Sequence, residues 1–356
     1  MPDPAFWHGR RVWLTGHTGF KGAWLALWLQ SLGAEVHGFS SGAVSAPSLY
    51  DLANVGDGMA GDVRGDVRSK GEVRAAVARA RPEIVIHMAA QALVRRGLSK
   101  PLETFNVNVM GTAKVLDAVL AGSEPGAVVV VTSDKCYGND GAGRPFREHD
   151  PLGGEDPYSA SKAAQEHVAA AFRTLGLPLA TVRAGNAIGG GDWAPDRLLA
   201  DCMRAALAGE PMMLRAPESV RPWQHVLGPL EGYLTVAERL FGGEPGAAWN
   251  FGPAEADARP AAWVVDEVVE RWRGPLEVRA AAPDAADGET PLLRLDSSRA
   301  RGLDSSRARE LLGWAPRWDL PAGLDATVSW YARYRNGADM RTESLSQIAA
   351  YERASA

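Results

Sequence analysis

Short, almost uninterrupted apolar segments alternate with helical segments along the first half of the chain. Segments 83–89 and 126–132 are apolar at nearly every position, as is typical of parallel strands that are covered on both faces. Strands that alternate with helices in this way predict a doubly wound parallel α/β sheet. The other strands are predicted over 11–15 and 35–39, and the helices over 23–32, 72–81 and 109–121.

The alternation weakens after about residue 185, where glycine and proline become frequent, as in Gly189–Gly191. A chain of 356 residues is long for one minimal core, so we predict two parts. Residues 1–185 form the domain that carries the sheet. Residues 186–356 form mainly an irregular substrate-binding lobe, with some segments returning to the first domain. Ligands of such folds bind outside the carboxyl edge of the sheet.

One segment of the second half is duplicated. Leu295–Arg301 recurs as Leu303–Arg309, both reading Leu-Asp-Ser-Ser-Arg-Ala-Arg. The repeat is too short for a solenoid, and we interpret it as a local duplication before a helix, without function. Residues 281–289, rich in alanine and acids, are expected to form an exposed loop.

Charge and cysteine content exclude several classes of protein. The formal net charge is -5 and no block of lysine and arginine occurs, which argues against nucleic-acid binding. No apolar run approaches the roughly 20 residues that span a bilayer, and residues 1–4 lack the features of a signal peptide. Cys136 and Cys202 have the spacing of neither metal ligands nor a disulfide framework. We therefore expect a cytoplasmic protein with no metal and no membrane contact.

Three regularly spaced glycines join the first predicted strand to the first predicted helix. Gly16 permits a sharp turn, Gly19 lets a diphosphate approach the backbone, and Gly22 lets the helix pack on the strand. The phosphates then meet the free N–H groups of the helix N-terminus. The alternative is a structural turn, but the flanking strand and helix favour dinucleotide binding. The residues assigned to the cofactor in this loop are Gly16, Thr18, Gly19, Phe20, Lys21 and Gly22.

The adenosine end of the cofactor site is less clearly marked. The acidic residue expected after the second strand is missing, because Phe39 is followed by Ser40 and Ser41. No arginine adjoins these serines to bind a 2′-phosphate, so NAD and NADP both stay open on this ground. Asp66 and Val67 are assigned to the adenine, with a solvated loop as the alternative.

Two acid/base pairs follow the strand over 126–132. Asp134 stands beside Lys135, and Tyr158 precedes Lys162 by one helical turn, so that a helix brings both to one face. The Lys162 ammonium is expected to lower the tyrosine pKa from about 10 and make it a base near neutral pH. The alternative is an accidental surface pair. Two such pairs suffice for oxidation, elimination and reduction in one pocket, whereas a simple dehydrogenase needs only the second.

With the glycine loop and the Tyr-x-x-x-Lys pair together, the chain resembles the extended short-chain dehydrogenase/reductase superfamily. That resemblance implies a Rossmann-like fold. It also implies that Asn108 is the structural and proton-relay asparagine. Segment 87–91, with Ala89, Ala90 and Gln91, then lies beside the nicotinamide ribose.

Longer motifs resemble the CDP-glucose 4,6-dehydratase family within that superfamily. They cover 16–24, 132–137, 185–193 and 221–226, and the similarity runs from about residue 6 to the end of the chain. The resemblance implies a lyase that converts CDP-glucose to CDP-4-dehydro-6-deoxyglucose and water with NAD as cofactor. It also implies a homodimer formed by the helices of Asn108 and Tyr158. The departures are the duplication near residue 300 and the serines after the second strand.

The resemblance further implies a role for each side chain of the two pairs. Tyr158 takes the proton of the C4 hydroxyl, and Ser133 binds the C4 oxygen. Asp134 is assigned as the acid at the C6 oxygen and Lys135 as the base at C5, with exchanged roles or a plain ion pair as alternatives. Lys135 acts as a base only if burial and the charge of Lys162 lower its pKa.

Substrate binding is assigned to Asn186, Arg197 and Arg221, the two arginines as forks for the diphosphate. An epimerase or reductase of the same superfamily is the alternative enzyme, and it lacks the Asp-Lys pair. A non-catalytic NAD-binding regulator is the third hypothesis. The intact Tyr158, Lys162 and Asn108 speak against it.

Overall fold

A parallel sheet of seven strands forms the centre of the protein. Its order is β11 (Ala248–Phe251), β6 (Leu179–Ala184), β5 (Ala127–Val131), β4 (Ile84–His87), β1 (Arg11–Thr15), β2 (Glu35–Ser40) and β3 (Gly61–Arg64). The computed structural model describes residues 1–138, 144–280 and 302–355. All pairings within this sheet are parallel, which confirms the predicted doubly wound α/β class. The order reverses direction between β1 and β4, the point at which such sheets bind ligands.

Strands and helices occur in the following order. The strands are β1 (Arg11–Thr15), β2 (Glu35–Ser40), β3 (Gly61–Arg64), β4 (Ile84–His87), β5 (Ala127–Val131), β6 (Leu179–Ala184), β7 (Ala187–Ile188), β8 (Met212–Leu214), β9 (Val220–Pro222), β10 (Gln224–His225), β11 (Ala248–Phe251), β12 (Ala258–Pro260) and β13 (Val278–Ala280). The helices are α1 (Pro4–Trp7), α2 (Phe20–Ser31), α3 (Leu49–Leu52), α4 (Lys70–Ala80), α5 (Val94–Ser99), α6 (Pro101–Phe105), α7 (Gly111–Gly122), α8 (Pro157–Thr174), α9 (Leu198–Ala208), α10 (Leu227–Phe241), α11 (Ala261–Arg271), α12 (Ser306–Leu312), α13 (Leu320–Arg335) and α14 (Met340–Arg353).

The predicted strands over 11–15, 35–39, 83–89 and 126–132 correspond to β1, β2, β4 and β5. Strand β3 was not predicted, because its side chains alternate between half-buried and exposed at the edge of the sheet. Strand β11 lies beyond residue 186 and still joins the sheet beside β6.

The first helix after the glycine loop is buried on every side. All residues from Gly22 to Leu29 are buried, including Trp24 and Trp28. The Trp28 indole donates to Glu352 Oε1 of α14 at 2.8 Å. The Trp24 indole donates to the carbonyl of Gly190 at 3.0 Å. Helix α2 therefore connects the sheet to two segments that are distant in sequence.

Between β6 and α10 the chain leaves the sheet and forms four short strands. Of these, β7 pairs with β10, whereas β9 and β8 pair with β12 and β13, which follow β11. These pairings begin shortly after the carboxyl end of β6. The backbone N–H of Gln224, at the start of β10, donates to the carbonyl of Asn186, just before β7, at 3.1 Å. The segment thus lies at the edge of the sheet where a substrate was expected.

The second copy of the duplicated segment has a packing role. Leu303 pairs with Phe146, and Ser305 Oγ accepts the N–H of Gly252 at 2.8 Å. Both the first copy, Leu295–Arg301, and the acidic loop expected over 281–289 lie outside the described residues. No helix in the described parts of the chain is both long and apolar enough to cross a membrane.

Candidate active site

The glycine loop is closed so tightly that side chains are excluded from two of its positions. Gly16 has a φ of +76°, which favours glycine. A Cβ on Gly22 would lie 2.1 Å from the carbonyl oxygen of Gly16. Gly22 is therefore needed where α2 meets the turn directly after β1, and its role in packing the helix on the strand itself stays a prediction. Gly19 is the N-cap of α2, so the free N–H groups of that helix face the loop.

The end of β2 lies beside an arginine that the linear sequence did not reveal. Ser40 pairs with Arg64 across β2 and β3, so an arginine is next to the serines in the sheet although none is next to them in the sequence. Arg64 donates to Asp62 Oδ2 at 3.2 Å and stacks over Tyr50 with 4.7 Å to the ring centroid. The hydroxyls of Thr18 and Ser40 are 2.7 Å apart.

Asp66 and Val67, assigned to the adenine, follow β3. The Asp66 carboxylate binds the Arg68 guanidinium, with Nη2 2.5 Å from Oδ2, and this lowers the pKa of Asp66. Val67 is buried, and its Cγ2 would lie 2.8 Å from a Cβ on Gly111. Their role toward a cofactor stays a prediction.

Segment 88–91 lies directly against the glycine loop. Thr15 Oγ1 accepts the N–H groups of Met88 and Ala89, each at 3.1 Å. A Cβ on Gly16 would lie 2.8 Å from Ala89 N. The structure thus brings together the glycine loop and the segment through Ala90 and Gln91, both of which were assigned to the cofactor.

Asn108 holds the end of this segment. Its Oδ1 accepts the N–H of Gln91 at 2.8 Å, and its Nδ2 donates to Ser161 Oγ on α8 at 2.8 Å. Asn108 lies in a single π-helical turn over Asn106–Met110, which directs the buried amide toward α8. Such turns often occur at functional sites.

Tyr158 and Lys162 lie on the first two turns of α8, as predicted. Asp156 caps this helix, and its Oδ1 accepts the N–H of Tyr158 at 2.9 Å. Lys162 Nζ donates to Gln165 Oε1 at 2.9 Å and to the Val131 carbonyl at 3.4 Å. The lysine is therefore fixed between its own helix and the end of β5.

The expected fall in the tyrosine pKa was wrong for this arrangement. Burial raises the pKa of Tyr158 to about 12, although a hydrogen bond with Ser133 and the charge of Arg197 act in the opposite direction. Burial and the charge of Lys21 lower the pKa of Lys162 to about 8. Burial, which the linear sequence does not display, is the main cause of the raised tyrosine pKa, and the charge of Lys162 is not among the causes.

Ser133 connects the two acid/base pairs. Its Oγ donates to Asp134 Oδ1 at 2.8 Å, and the same hydroxyl is hydrogen-bonded to Tyr158. Asp134 and Lys135 begin a 3-10 turn over Asp134–Cys136 that Ser133 caps. The acid, the serine and the tyrosine thus form one continuous chain of polar groups.

The pKa of Lys135 is lowered, as its assignment as a base requires. Burial is the main cause and the charge of Arg221 adds to it, while Asp134 and Asp156 act in the opposite direction. The charge that helps to lower the pKa of Lys135 is that of Arg221, and not that of Lys162 as expected. The basic form of Lys135 is therefore more accessible than that of an ordinary lysine.

Basic residues from separate segments surround these pairs. Burial and the charge of Arg197 lower the pKa of Lys21 to about 8, and Asp134 acts against them. Arg197 Nη1 donates to Asp192 Oδ2 at 3.0 Å. Asn186 follows β6 and lies next to Gly185, where a Cβ would be 3.0 Å from Asp134 Oδ2. The charges of Arg197 and Arg221 thus act on groups of the acid/base pairs, and Asn186 adjoins Gly185 in the chain. The role of all three toward a substrate stays a prediction.

Three buried charged residues near the site were not predicted from the sequence, namely Asp192, Glu166 and Arg183. Asp192 holds Arg197, and Glu166 pairs with Arg183. Helical spacing carried a signal for Glu166, which follows Lys162 by one turn. Arg183 lies on β6, and no local pattern relates it to Glu166.

Residues 12–252 match the model of the NAD dependent epimerase/dehydratase family. The match covers more than half of the chain, and the chain therefore belongs to this family of NAD-dependent nucleotide-sugar enzymes.

Individual relatives narrow the comparison. The chain is 43% identical to the CDP-glucose 4,6-dehydratase of Salmonella typhimurium strain LT2, over 99% of this chain and 98% of that protein. It is 30% identical to a dTDP-glucose 4,6-dehydratase of Xanthomonas campestris pv. campestris, over 90% and 93% of the two chains.

Solved structures are similar over nearly the whole fold. The dTDP-glucose 4,6-dehydratase DesIV of Streptomyces venezuelae, solved with NAD bound, has a TM-score of 0.75 at 25% identity, over 93% of this chain and 99% of that one. The UDP-glucose 4-epimerase of Thermus thermophilus, in complex with NAD, has a TM-score of 0.76 at 27% identity, over 90% and 99%.

Proposed function

We propose that this protein is a CDP-glucose 4,6-dehydratase, a hydro-lyase that uses NAD. The observation that carries the proposal is the continuous polar chain from Tyr158 through Ser133 to Asp134, with Lys135 next to it. An epimerase needs only the tyrosine end of that chain. The pair Asp134–Lys135 adds an acid and a base of the kind that loss of water requires.

The glycine loop fits NAD. Gly16 and Gly22 leave room only for backbone, and Gly19 opens the N-terminus of α2 to a diphosphate. When bound, NAD supplies the hydride acceptor for C4 and the hydride donor for C6 of the same sugar. The protein residues handle the protons and hold the sugar.

Oxidation at C4 releases a proton from the hydroxyl, and Tyr158 is assigned as its acceptor. Burial raises the pKa of this phenol, so the role requires a positive charge that favours the phenolate, which the nicotinamide of bound NAD would supply. Ser133, hydrogen-bonded to Tyr158, holds the C4 oxygen. The ketone formed at C4 makes the proton at C5 acidic. Lys135 takes that proton, and its lowered pKa favours this role.

The C6 hydroxyl leaves as water when Asp134 gives it a proton. Lys135 returns its proton to C5 when C6 is reduced, so the sum is CDP-glucose to CDP-4-dehydro-6-deoxyglucose and water. Each turnover leaves Tyr158 with one proton more and Asp134 with one fewer. Ser133 Oγ contacts both groups and offers the path that restores them.

The substrate diphosphate is assigned to Arg197 and Arg221, with Asn186 beside the sugar. Two buried cysteines support a reducing compartment, and we expect a cytoplasmic enzyme. A homodimer through the helices of Asn108 and Tyr158 stays a prediction.

Incubation with CDP-glucose and NAD, followed by mass spectrometry of the sugar nucleotide, tests the proposal. We expect the mass to fall by one water. Unchanged mass with an epimerised sugar would contradict the dehydratase and favour the epimerase.

Lys135→Met tests the assignment of the base. It should preserve reduction of NAD by the substrate and slow the loss of water by about 10²- to 10⁴-fold, the usual contribution of a general base. Lys100→Met at an exposed position is the matched control and should dehydrate like the wild type. Dehydration at the native rate in Lys135→Met would refute this role for the lysine.

A further inference from the structure

A buried ion pair lies behind the segment that carries Ser133, Asp134 and Lys135. Glu166 is 5% exposed and Arg183 is 3% exposed. Arg183 Nε and Nη2 donate to the two carboxylate oxygens of Glu166 at 2.8 and 2.7 Å. A two-point contact of this kind fixes the orientation of both side chains.

The ion pair is hydrogen-bonded to both ends of that segment. Thr132 Oγ1 donates to Glu166 Oε1 at 2.5 Å, and Arg183 Nη1 donates to the Tyr137 hydroxyl at 2.6 Å. The Tyr137 hydroxyl donates in turn to Asn250 Oδ1 at 2.7 Å. Residues 133–136 are therefore anchored on either side by one pair of charges.

The same ion pair connects the segment to α8, the helix that carries Tyr158 and Lys162, which we call the redox pair. Glu166 lies on α8, one turn after Lys162 and two turns after Tyr158. A displacement of Glu166 or Arg183 would move Asp134 and Lys135 relative to Tyr158. The distance between the two acid/base pairs thus depends on this contact.

Stability alone does not account for such a pair. An apolar pair of similar volume often gives a protein that is at least as stable, because two charges lose their hydration on burial. Burial alone would raise the pKa of Glu166, but the hydrogen bond and charge of Arg183 outweigh it and keep that pKa below its usual value. Glu166 and Arg183 therefore stay ionised in the folded protein, and their contact fixes the geometry of the groups around them. Reacting groups must be held within roughly 0.5 Å of their productive positions.

We infer that four residues hold Asp134 and Lys135, the elimination pair, at a fixed distance from the redox pair. These positioning residues are Glu166, Arg183, Thr132 and Tyr137. The inference rests on the proposed function. One sugar must be oxidised at C4, lose water across C5 and C6, and be reduced at C6 without leaving. Oxidation at C4 precedes the loss of water, and the reduced cofactor is re-oxidised only afterwards. A misplaced elimination pair should therefore cause reduced cofactor to accumulate.

Tyr137→Phe and Thr132→Val each remove one hydroxyl with little change of shape. In each holoenzyme we expect kcat for the dehydrated product to fall about tenfold, with KM for CDP-glucose changed by less than about twofold. The near-ultraviolet absorbance of reduced nicotinamide should rise in the steady state, since oxidation outruns elimination. Thr132→Ser keeps the hydroxyl and should restore the wild-type behaviour.

Tyr351→Phe is the matched control. This tyrosine is 1% exposed and donates to Glu231 Oε2 at 2.9 Å, away from the site. It should lose stability without accumulation of reduced cofactor. The inference would be overturned if Thr132→Val and Tyr137→Phe kept the wild-type kcat, or if their kcat fell without accumulation of reduced cofactor. In that case a wild type that forms the dehydrated product would still uphold the proposed function. A wild type that forms no dehydrated product would overturn both.

Discussion

His87 is held uncharged at the carboxyl end of β4. Its side chain is fully buried, with Nδ1 2.7 Å from Thr15 Oγ1 and Nε2 2.9 Å from Thr112 Oγ1. Burial lowers the pKa of His87 to about 3, and the charge of Lys162 acts in the same direction. Its hydroxyl partners leave no carboxylate to stabilise an imidazolium.

The stability of the fold should therefore fall on mild acidification. Below about pH 6.5 the unfolded chain binds a proton at His87 that the folded chain does not bind until the pH nears 3, so His87 alone lowers the free energy of unfolding by about 1.4 kcal/mol per pH unit. Burial also lowers the pKa of His225 to about 3, which adds a loss of the same sign. Urea unfolding at about pH 7.5 and about pH 5.5 measures this decrease. His87→Gln should lose less on acidification than the wild type. An equal loss in both would contradict the assignment.

At the scale of the element, the glycine loop and α2 act as one rigid unit. Helix α2 has no side-chain cap, so its first N–H groups are available to a ligand. Gly22 sets the distance between these groups and the loop, because only hydrogen fits against the Gly16 carbonyl.

Gly22→Ala should weaken NAD binding by about tenfold or more and cost about 1–3 kcal/mol of stability, because the extra methyl overpacks the loop. Gly71→Ala is the matched control, since Gly71 also lies in the first turn of a helix but has nothing within 4 Å of its Cβ position. Titration calorimetry with NAD and thermal unfolding give both values. Native affinity in Gly22→Ala would refute the close contact.

Local patterns predicted the elements that depend on neighbours in the chain. The apolar runs of β4 and β5, the glycine spacing and the one-turn separation of Tyr158 and Lys162 all lie within short segments. The pairing of Ser40 with Arg64 was invisible, because it arises between strands. The same holds for Arg183 with Glu166, and for the burial that raises the pKa of Tyr158.

At the scale of the whole molecule, α2 and α13 enclose the loop that delivers Arg197. Trp24 of α2 binds the Gly190 carbonyl, and a Cβ on Gly190 would lie 2.0 Å from Trp330 Cγ of α13. The Tyr331 hydroxyl donates to the Asp192 carbonyl at 2.6 Å. Arg197, the arginine proposed to bind the substrate, is thus positioned by two helices that are distant in the sequence.

Gly190→Ala should push the loop away from Trp330 and misplace Arg197. We expect KM for CDP-glucose to rise about tenfold, as the loss of one charged contact implies, while NAD affinity changes little. Steady-state kinetics and calorimetry separate the two. An unchanged KM would mean that Arg197 does not contact the substrate, or that the loop adjusts without moving it.

The enclosure of α2 also fixes an order of events during protein synthesis. Trp24 and Trp28 are synthesised long before their partners on the Gly190 loop and on α14. Until then a strongly apolar helix is exposed on the nascent chain, in a state prone to aggregation. Recombinant yield of this protein should therefore depend on chaperone supply and on slow expression more than on the stability of the finished fold.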